Sequence, residues 1–258
     1  MKKLLAVLSL LFLAVQPVLA ELKTQTVEYK DGDAVLEGYL AYDDSFAGKR
    51  PGVLVVHEWT GLGKYVKSRC EQLAKLGYVA FAADIYGKAD MPADMKACMA
   101  VSTKYKTDRP LMQERVNAGL AQLQNNPMVD AAKIAAIGYC FGGTAVLELG
   151  RSGANVAGIV SFHGGLDNPT PADDKNIKAK VLICQGGDDQ FTLKALPDLK
   201  KSLSDAKVDY KVIVYPGAVH GFTNPDNKGD MQGVKYNADA DKKSWKDMMS
   251  FFKKIFKS

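Results

Sequence analysis

The sequence predicts an α/β fold, a mostly parallel sheet with helices on both faces, formed as one domain. Three observations predict it. Short apolar runs such as Val53-Leu54-Val55-Val56 read as strands buried on both faces, which is the habit of parallel sheets. These runs alternate with helical stretches along nearly the whole chain, the order that builds crossover units. Once a leader is set aside, the rest suits one large core, and no repeat, low-complexity stretch or linker divides it.

The leader comes first. Met1-Lys2-Lys3, an apolar run from Leu4 to Val15 and then Gln16-Pro17-Val18-Leu19-Ala20 give a positive start, a greasy core and a small-residue cleavage site. That is a secretory signal peptide, with cleavage expected after Ala20. A membrane anchor would need roughly 20 unbroken apolar residues, and Gln16 and Pro17 interrupt this run. Residues 21–258 are therefore expected as an exported α/β domain without membrane attachment, periplasmic or secreted. The net charge falls from +5 to +3, because the leader holds two lysines and no acid. Lysines dispersed rather than striped along one element argue against nucleic acid as a partner.

Residues 24–29 and 34–41 alternate like strands and meet at Asp31-Gly32, a hairpin turn pair. A buried strand is expected over 52–57, a helix over 65–76 stopped by Gly77, and a strand over 78–82. Asp108 caps a helix that runs to about residue 125, with Pro110 in its first turn. Residues 134–137 form the next buried strand, followed by a glycine-rich turn and a helix over 142–150. Strands follow at 156–162, 181–184 and 210–214, with a helix over 193–204 between the last two. A closing helix over 238–256 shows Trp245, Met248, Met249, Phe252 and Phe256 at three- and four-residue spacing.

Cys70, Cys98, Cys140 and Cys184 lie far apart with no C-x-x-C pair, so neither a zinc site nor a thioredoxin-type motif is indicated. Export makes a disulfide possible. Cys70 with Cys98 is the expected pairing, since the other two have places in the chemistry.

The sharpest local signal is Gly138-Tyr139-Cys140-Phe141-Gly142-Gly143, between a buried strand and a helix. It has the form G-x-S-x-G with sulfur for oxygen, the nucleophile elbow of α/β-hydrolases. The bend leaves almost no space for side chains beside its apex, and it aims the apex residue at the N-terminus of the next helix, which favours a thiolate and an oxyanion. Read blandly, Cys140 is a core cysteine in a glycine-rich turn. Chain order favours the sharper reading, because this fold places nucleophile, acid and histidine in that sequence. His220 is the only one of the three histidines far downstream, after the last strand. The acid should follow residues 181–184, where Asp188 and Asp189 compete. A G-x-x-D turn from Gly186 favours Asp189, with Asp188 second.

His57-Glu58-Trp59-Thr60-Gly61-Leu62 ends the first parallel strand, where α/β sheets gather ligands. The amides of Trp59 and Phe141 are the expected oxyanion donors. Together with Asp84-Ile85-Tyr86-Gly87-Lys88, the elbow, the acid turn and Val219-His220-Gly221-Phe222, this stretch resembles the dienelactone hydrolase family over nearly the whole mature chain. The resemblance implies a Cys140, Asp189 and His220 triad, with Glu58 holding the thiol at rest and helping to ionise it when substrate binds. It also implies arginines gripping a substrate carboxylate at the positions of Lys88 and Asn224. Lysine keeps the charge without the fork, and asparagine keeps neither, so dienelactone itself is an unexpected substrate. Tyr86, Lys88, His163 and Asn224 are expected to line the pocket, and Cys184 to be a buried strand residue behind the acid turn.

The expected activity is cleavage of a small ester or lactone through an acyl-thioester by a monomer that needs no metal or organic cofactor. Two alternatives stand beside it: a carboxylesterase or thioesterase of other acyl preference, and an inactive binding or redox-sensing protein on the same fold.

Overall fold

The computed structural model describes residues 21–257, so the expected leader, residues 1–20, lies outside the described residues. Eight strands form one sheet in the order β1-β2-β4-β3-β5-β6-β7-β8. The first two, β1 (Leu22–Asp31) and β2 (Ala34–Asp43), make the hairpin expected from Asp31-Gly32, with Gly32 at φ 56° in the turn. From β3 (Arg50–Val56) and β4 (Val79–Ala83) onward the strands run parallel, through β5 (Val129–Tyr139), β6 (Gly158–Phe162), β7 (Lys180–Gly186) and β8 (Tyr210–Tyr215). The hairpin joins antiparallel to β4.

Alternation along the strands divides the core into two layers. Val53, Val55, Ala80, Ala82, Ile137 and Val160 face one side, where α1 (Lys64–Ala74) and α6 (Ala238–Ile255) bury Val66, Leu73, Met248 and Phe252. Leu54, Val56, Phe81, Ala83, Ala136 and Ile159 face the other. There α3 (Arg109–Gln124), α4 (Phe141–Arg151) and α5 (Leu196–Asp205) supply Val116, Leu120, Ala145, Leu149 and Leu203. Because side chains point to opposite faces in turn, a strand buried on both faces must be apolar throughout.

Two elements differ from expectation. Residues 95–107 form a helix, α2 (Met95–Thr107), which periodicity gave no reason to expect: it buries only Cys98, Ser102 and Tyr105 and leaves Met95 and Met99 exposed. Its signal was local, since the Asp94 carboxylate accepts the Ala97 N–H at 2.8 Å. The other is β5, which begins at Val129, five residues early, where it pairs with Arg50 ahead of a register shift.

The expected Cys70–Cys98 bridge is absent, and all four cysteines are free. Cys70 lies on the buried stripe of α1 on one face of the sheet, whereas α2 lies with Tyr105 on the other face. The sheet stands between them. Cys184 is fully buried in β7, as expected.

Candidate active site

The turn between β5 and α4 is a single residue, Cys140, with φ 53° and ψ −113°. A left-handed conformation costs a non-glycine residue about 1–3 kcal/mol. Glycine neighbours make the bend possible. A Cβ on Gly138 would stand 2.0 Å from the Gly142 oxygen, and one on Gly142 would stand 2.3 Å from the Val56 oxygen. The same approach seats the start of α4 directly on the end of β3. Half-buried, the Cys140 side chain is left at the mouth of the first helical turn.

The loop after β8 brings in the imidazole. His220 Nε2 lies 3.1 Å from Cys140 Sγ, and its Nδ1 lies 2.8 Å from Asp189 Oδ2. The loop is pinned by His220 N–H to Gly233 O and Lys235 N–H to His220 O, both at 3.1 Å. Burial works against a charged ring here, but the Cys140 sulfur and the Asp189 carboxylate outweigh it and push His220 up to about 10. Of the adjacent aspartates it is Asp189, fully buried, that reaches the ring, while Asp188 is exposed. Asp189 Oδ1 accepts the Phe191 N–H at 3.0 Å, and Oδ2 also accepts Gln185 Nε2–H at 3.0 Å. Those bonds fix the carboxylate before any ligand arrives.

At the end of β3, His57 clamps the next turn. The Ile85 N–H donates to its Nε2 at 3.2 Å, which places the ring proton on Nδ1, 2.7 Å from Glu58 O. Its ring stacks on Phe141 with centroids 5.7 Å apart, tying this turn to the start of α4. The amide of Trp59 donates no hydrogen bond within the described residues, and that of Phe141, first in its helix, has no carbonyl one turn earlier to take. Both are thus unspent donors beside the sulfur's turn.

Five residues expected at the pocket are engaged by other groups of the protein. Glu58 does not touch the sulfur. Its carboxylate accepts Asn224 Nδ2–H at 2.6 Å, because an amide N–H is a far better donor than a thiol. Burial raises Glu58 to about 7, against the pull of the Asn224 bond and the His220 charge. Asn224 is accordingly the holder of Glu58. Lys88 pairs with Glu28 at 2.9 Å and Glu37 at 3.6 Å out on the hairpin, and shares no bond with the groups around Cys140 among the described residues. A flexible ammonium follows the nearest carboxylates. Tyr86 is 2% exposed, and its hydroxyl donates to Trp59 O at 2.9 Å, so it props the turn from beneath.

His163 is fully buried as well. Its Nδ1 lies 3.1 Å from the Cys140 amide nitrogen and its Nε2 2.7 Å from Thr223 Oγ1. Burial, with the nearby His220 charge, holds it well below the usual histidine range. Sequence reading missed Thr223, Tyr65, Arg69 and Gln185 altogether. Arg69 left one trace, a charged residue among Val66, Cys70 and Leu73 on the buried stripe of α1. The exposed ring of Phe191 stands edge-on to His220 at 5.7 Å and forms the apolar rim.

Comparison with known proteins bears on the family and the fold. The model of the dienelactone hydrolase family matches residues 36–256. The protein Usf of Aquifex pyrophilus is 31% identical over 236 residues, covering 89% of this chain and 97% of its own. A Synechocystis protein provisionally named carboxymethylenebutenolidase is 27% identical over 248 residues, covering 90% of this chain and 97% of its own. Among solved structures, a dienelactone hydrolase-like promiscuous phosphotriesterase from metagenomic libraries superposes with a TM-score of 0.87 at 36% identity, over 91% of this chain and 98% of that one. An α/β-hydrolase fold matched from its hairpin to its closing helix makes this chain a hydrolase belonging to the dienelactone hydrolase family.

Proposed function

We propose that the chain cleaves small, uncharged esters or lactones with Cys140 as nucleophile, His220 as proton carrier and Asp189 as its orienting carboxylate. One observation carries this reading: His220 bridges the sulfur at 3.1 Å and the buried carboxylate at 2.8 Å. The thiol gives its proton to His220 Nε2, the resulting thiolate attacks the carbonyl carbon, and the amides of Trp59 and Phe141 hold the oxygen as it becomes an anion. His220 then protonates the departing alkoxide as the C–O bond breaks, leaving an acyl-thioester. Water, deprotonated by His220, attacks the thioester, and the C–S bond breaks to release the acid. Thiolate is expelled more readily than alkoxide from a tetrahedral adduct, so activated esters suit sulfur and amides do not. Glu58, half-buried and bound to Asn224 at 2.6 Å, helps to ionise the thiol only once substrate displaces that bond.

The substrate class follows from charge. Lys88 is bound to two carboxylates, Asn224 is neutral and engaged, and Glu58 sets a carboxylate within electrostatic reach of His220. A substrate carboxylate would meet repulsion there and no opposing fork. Phosphotriesters are likewise uncharged, and the solved relative is described as acting on them, so an aryl phosphotriester belongs in the substrate panel. The chain is further proposed to be exported after cleavage at Ala20, which N-terminal sequencing of the mature protein checks.

Cys140→Ala is expected to abolish turnover of p-nitrophenyl acetate and of a butyrolactone while the circular dichroism melt stays unchanged. Full turnover in that variant would refute the assignment.

A further inference from the structure

A line of buried hydrogen bonds runs from the closing helix to the backbone of the nucleophile, and the chemistry above does not use it. It starts at Asp241 of α6, whose Oδ1 accepts Arg69 Nη2–H at 2.5 Å. The same guanidinium donates to Thr223 O at 2.8 Å and, through Nε, to Tyr65 Oη at 3.2 Å. Tyr65 O–H donates to Thr223 Oγ1 at 2.6 Å, and Thr223 Oγ1 lies 2.7 Å from His163 Nε2. Finally, the Cys140 N–H is shared between Phe162 O at 3.0 Å and His163 Nδ1 at 3.1 Å.

The donors leave His163 one state. A backbone amide can only donate, so Nδ1 must accept and the single ring proton sits on Nε2, pointing at Thr223. A cationic ring would set Nδ1–H against the Cys140 N–H, donor to donor. Arg69 is itself held between the rings of Tyr65, Tyr139 and Trp245, at 5.2, 5.7 and 5.2 Å, so the anchor of the line is fixed. His163 also has positive φ, 39°, and its own N–H donates to Cys184 O at 2.8 Å. Two residues of positive φ, Cys140 and His163, thus meet at one amide, which the ring of His163 and the oxygen of Phe162 hold together. Thr223, moreover, immediately precedes Asn224, the holder of Glu58.

We propose that His163 is a positioning residue for the nucleophile, a neutral acceptor that fixes the Cys140 backbone in its left-handed bend and is itself aimed by the Asp241–Arg69–Tyr65–Thr223 line. This rests on Cys140 being the nucleophile. The consequence is a sulfur held within reach of His220 without a mobile residue at the apex. Misplacement of a reacting group by about 1 Å costs on the order of 10²-fold in rate.

The test compares two replacements in the full chain, read by kcat and KM for p-nitrophenyl acetate and by the rate of Cys140 alkylation with iodoacetamide. His163→Phe keeps an aromatic ring but has no acceptor. His163→Asn puts Oδ1 near the Nδ1 position and tolerates positive φ. The Phe variant is expected to lose kcat by about 10²-fold with KM changed by less than about threefold, and the Asn variant to recover about tenfold of that loss. Equal loss in both variants, or a Phe variant with wild-type kcat, overturns the proposal. Should the Phe variant not fold, Thr223→Val carries the test. Removing that hydroxyl is expected to lower kcat by about fivefold with KM unchanged, and an unchanged kcat overturns the proposal. Failure of the underlying reading looks different: Cys140→Ala would then hydrolyse the ester at the wild-type rate, whatever the His163 variants do.

Discussion

At its first turn α4 presents Cys140, and at its last, about 16 Å along the axis, it presents Arg151; both ends carry buried polar clusters, built to opposite ends. Around Arg151 every carboxylate oxygen has a partner, although the buried Nη2 of the guanidinium has none among the described residues. Its Nη1 meets Glu148 at 2.8 Å and its Nε meets Asp174 at 2.8 Å, while Gln113, Asn168 and Ser202 fill the remaining oxygens of those carboxylates. Glu148 and Asp174 are fully buried. Around Cys140 the carboxylate and the imidazole are just as tightly held, but the sulfur has His220 alone and stands half-open. A cluster whose carboxylates are filled and sealed from solvent can only stabilise, whereas a half-open sulfur with one partner can react. Position within one helix does not separate the two, and access to the polar atoms does.

The sharpest way to break that contrast is to remove the orienting carboxylate. Asp189→Asn is expected to lower kcat by about 10²–10⁴-fold, since an amide can hold the imidazole in the wrong tautomer, with the fold intact. Asp188→Asn, at the exposed neighbour, should stay within about twofold; comparable losses from the two would erase the assignment of the acid. At the other end of α4, Arg151→Met takes from buried Asp174 its only ion-pair partner among the described residues and leaves Glu148 with Arg109 at 3.5 Å. Destabilisation of about 3–5 kcal/mol is expected in urea unfolding, with kcat per folded molecule changed by less than about twofold. A large loss of kcat without loss of stability would mean that the ends are coupled.

The smallest effect concerns Glu58 and sharpens the comparison, because this carboxylate is held but not satisfied. Activity should climb through about pH 7 as Glu58 ionises and fall near pH 10 as His220 loses its proton. Glu58→Gln should remove the lower limb from the kcat/KM profile. Stability runs the other way. With a folded-state value near 7 against a free value of 4.5, the contribution of Glu58 is complete below about 4.5 and lost as pH rises through 7. The Gln variant should thus melt higher than wild type at pH 8, by about 1–2 kcal/mol once solvent screening is allowed for. A lower melt would show that the ionised carboxylate is stabilised after all.

Much of this was legible in one dimension. The elbow glycines, the order of Cys140, Asp189 and His220, and the buried strands are read from residues whose effect is local: a glycine where a Cβ has no room, a short turn after a strand, an apolar run. The α2 helix escaped because it buries so little that no stripe forms. His163, read as a pocket residue, proved to be a buried acceptor, and nothing near it in sequence names Thr223, 60 residues on, as its partner.

By itself, then, the sequence determined where the chain turns, which atoms could react and in what order they come, because backbone geometry is set by each residue and its neighbours. Only the tertiary structure decided which partner each long polar side chain takes. Asn224 meets Glu58 across 166 positions, Lys88 meets Glu28 across 60, and Cys70 is parted from Cys98 by the sheet itself. Such choices depend on which donors and acceptors packing leaves within about 3 Å of one another, a quantity that exists only once the layers have closed.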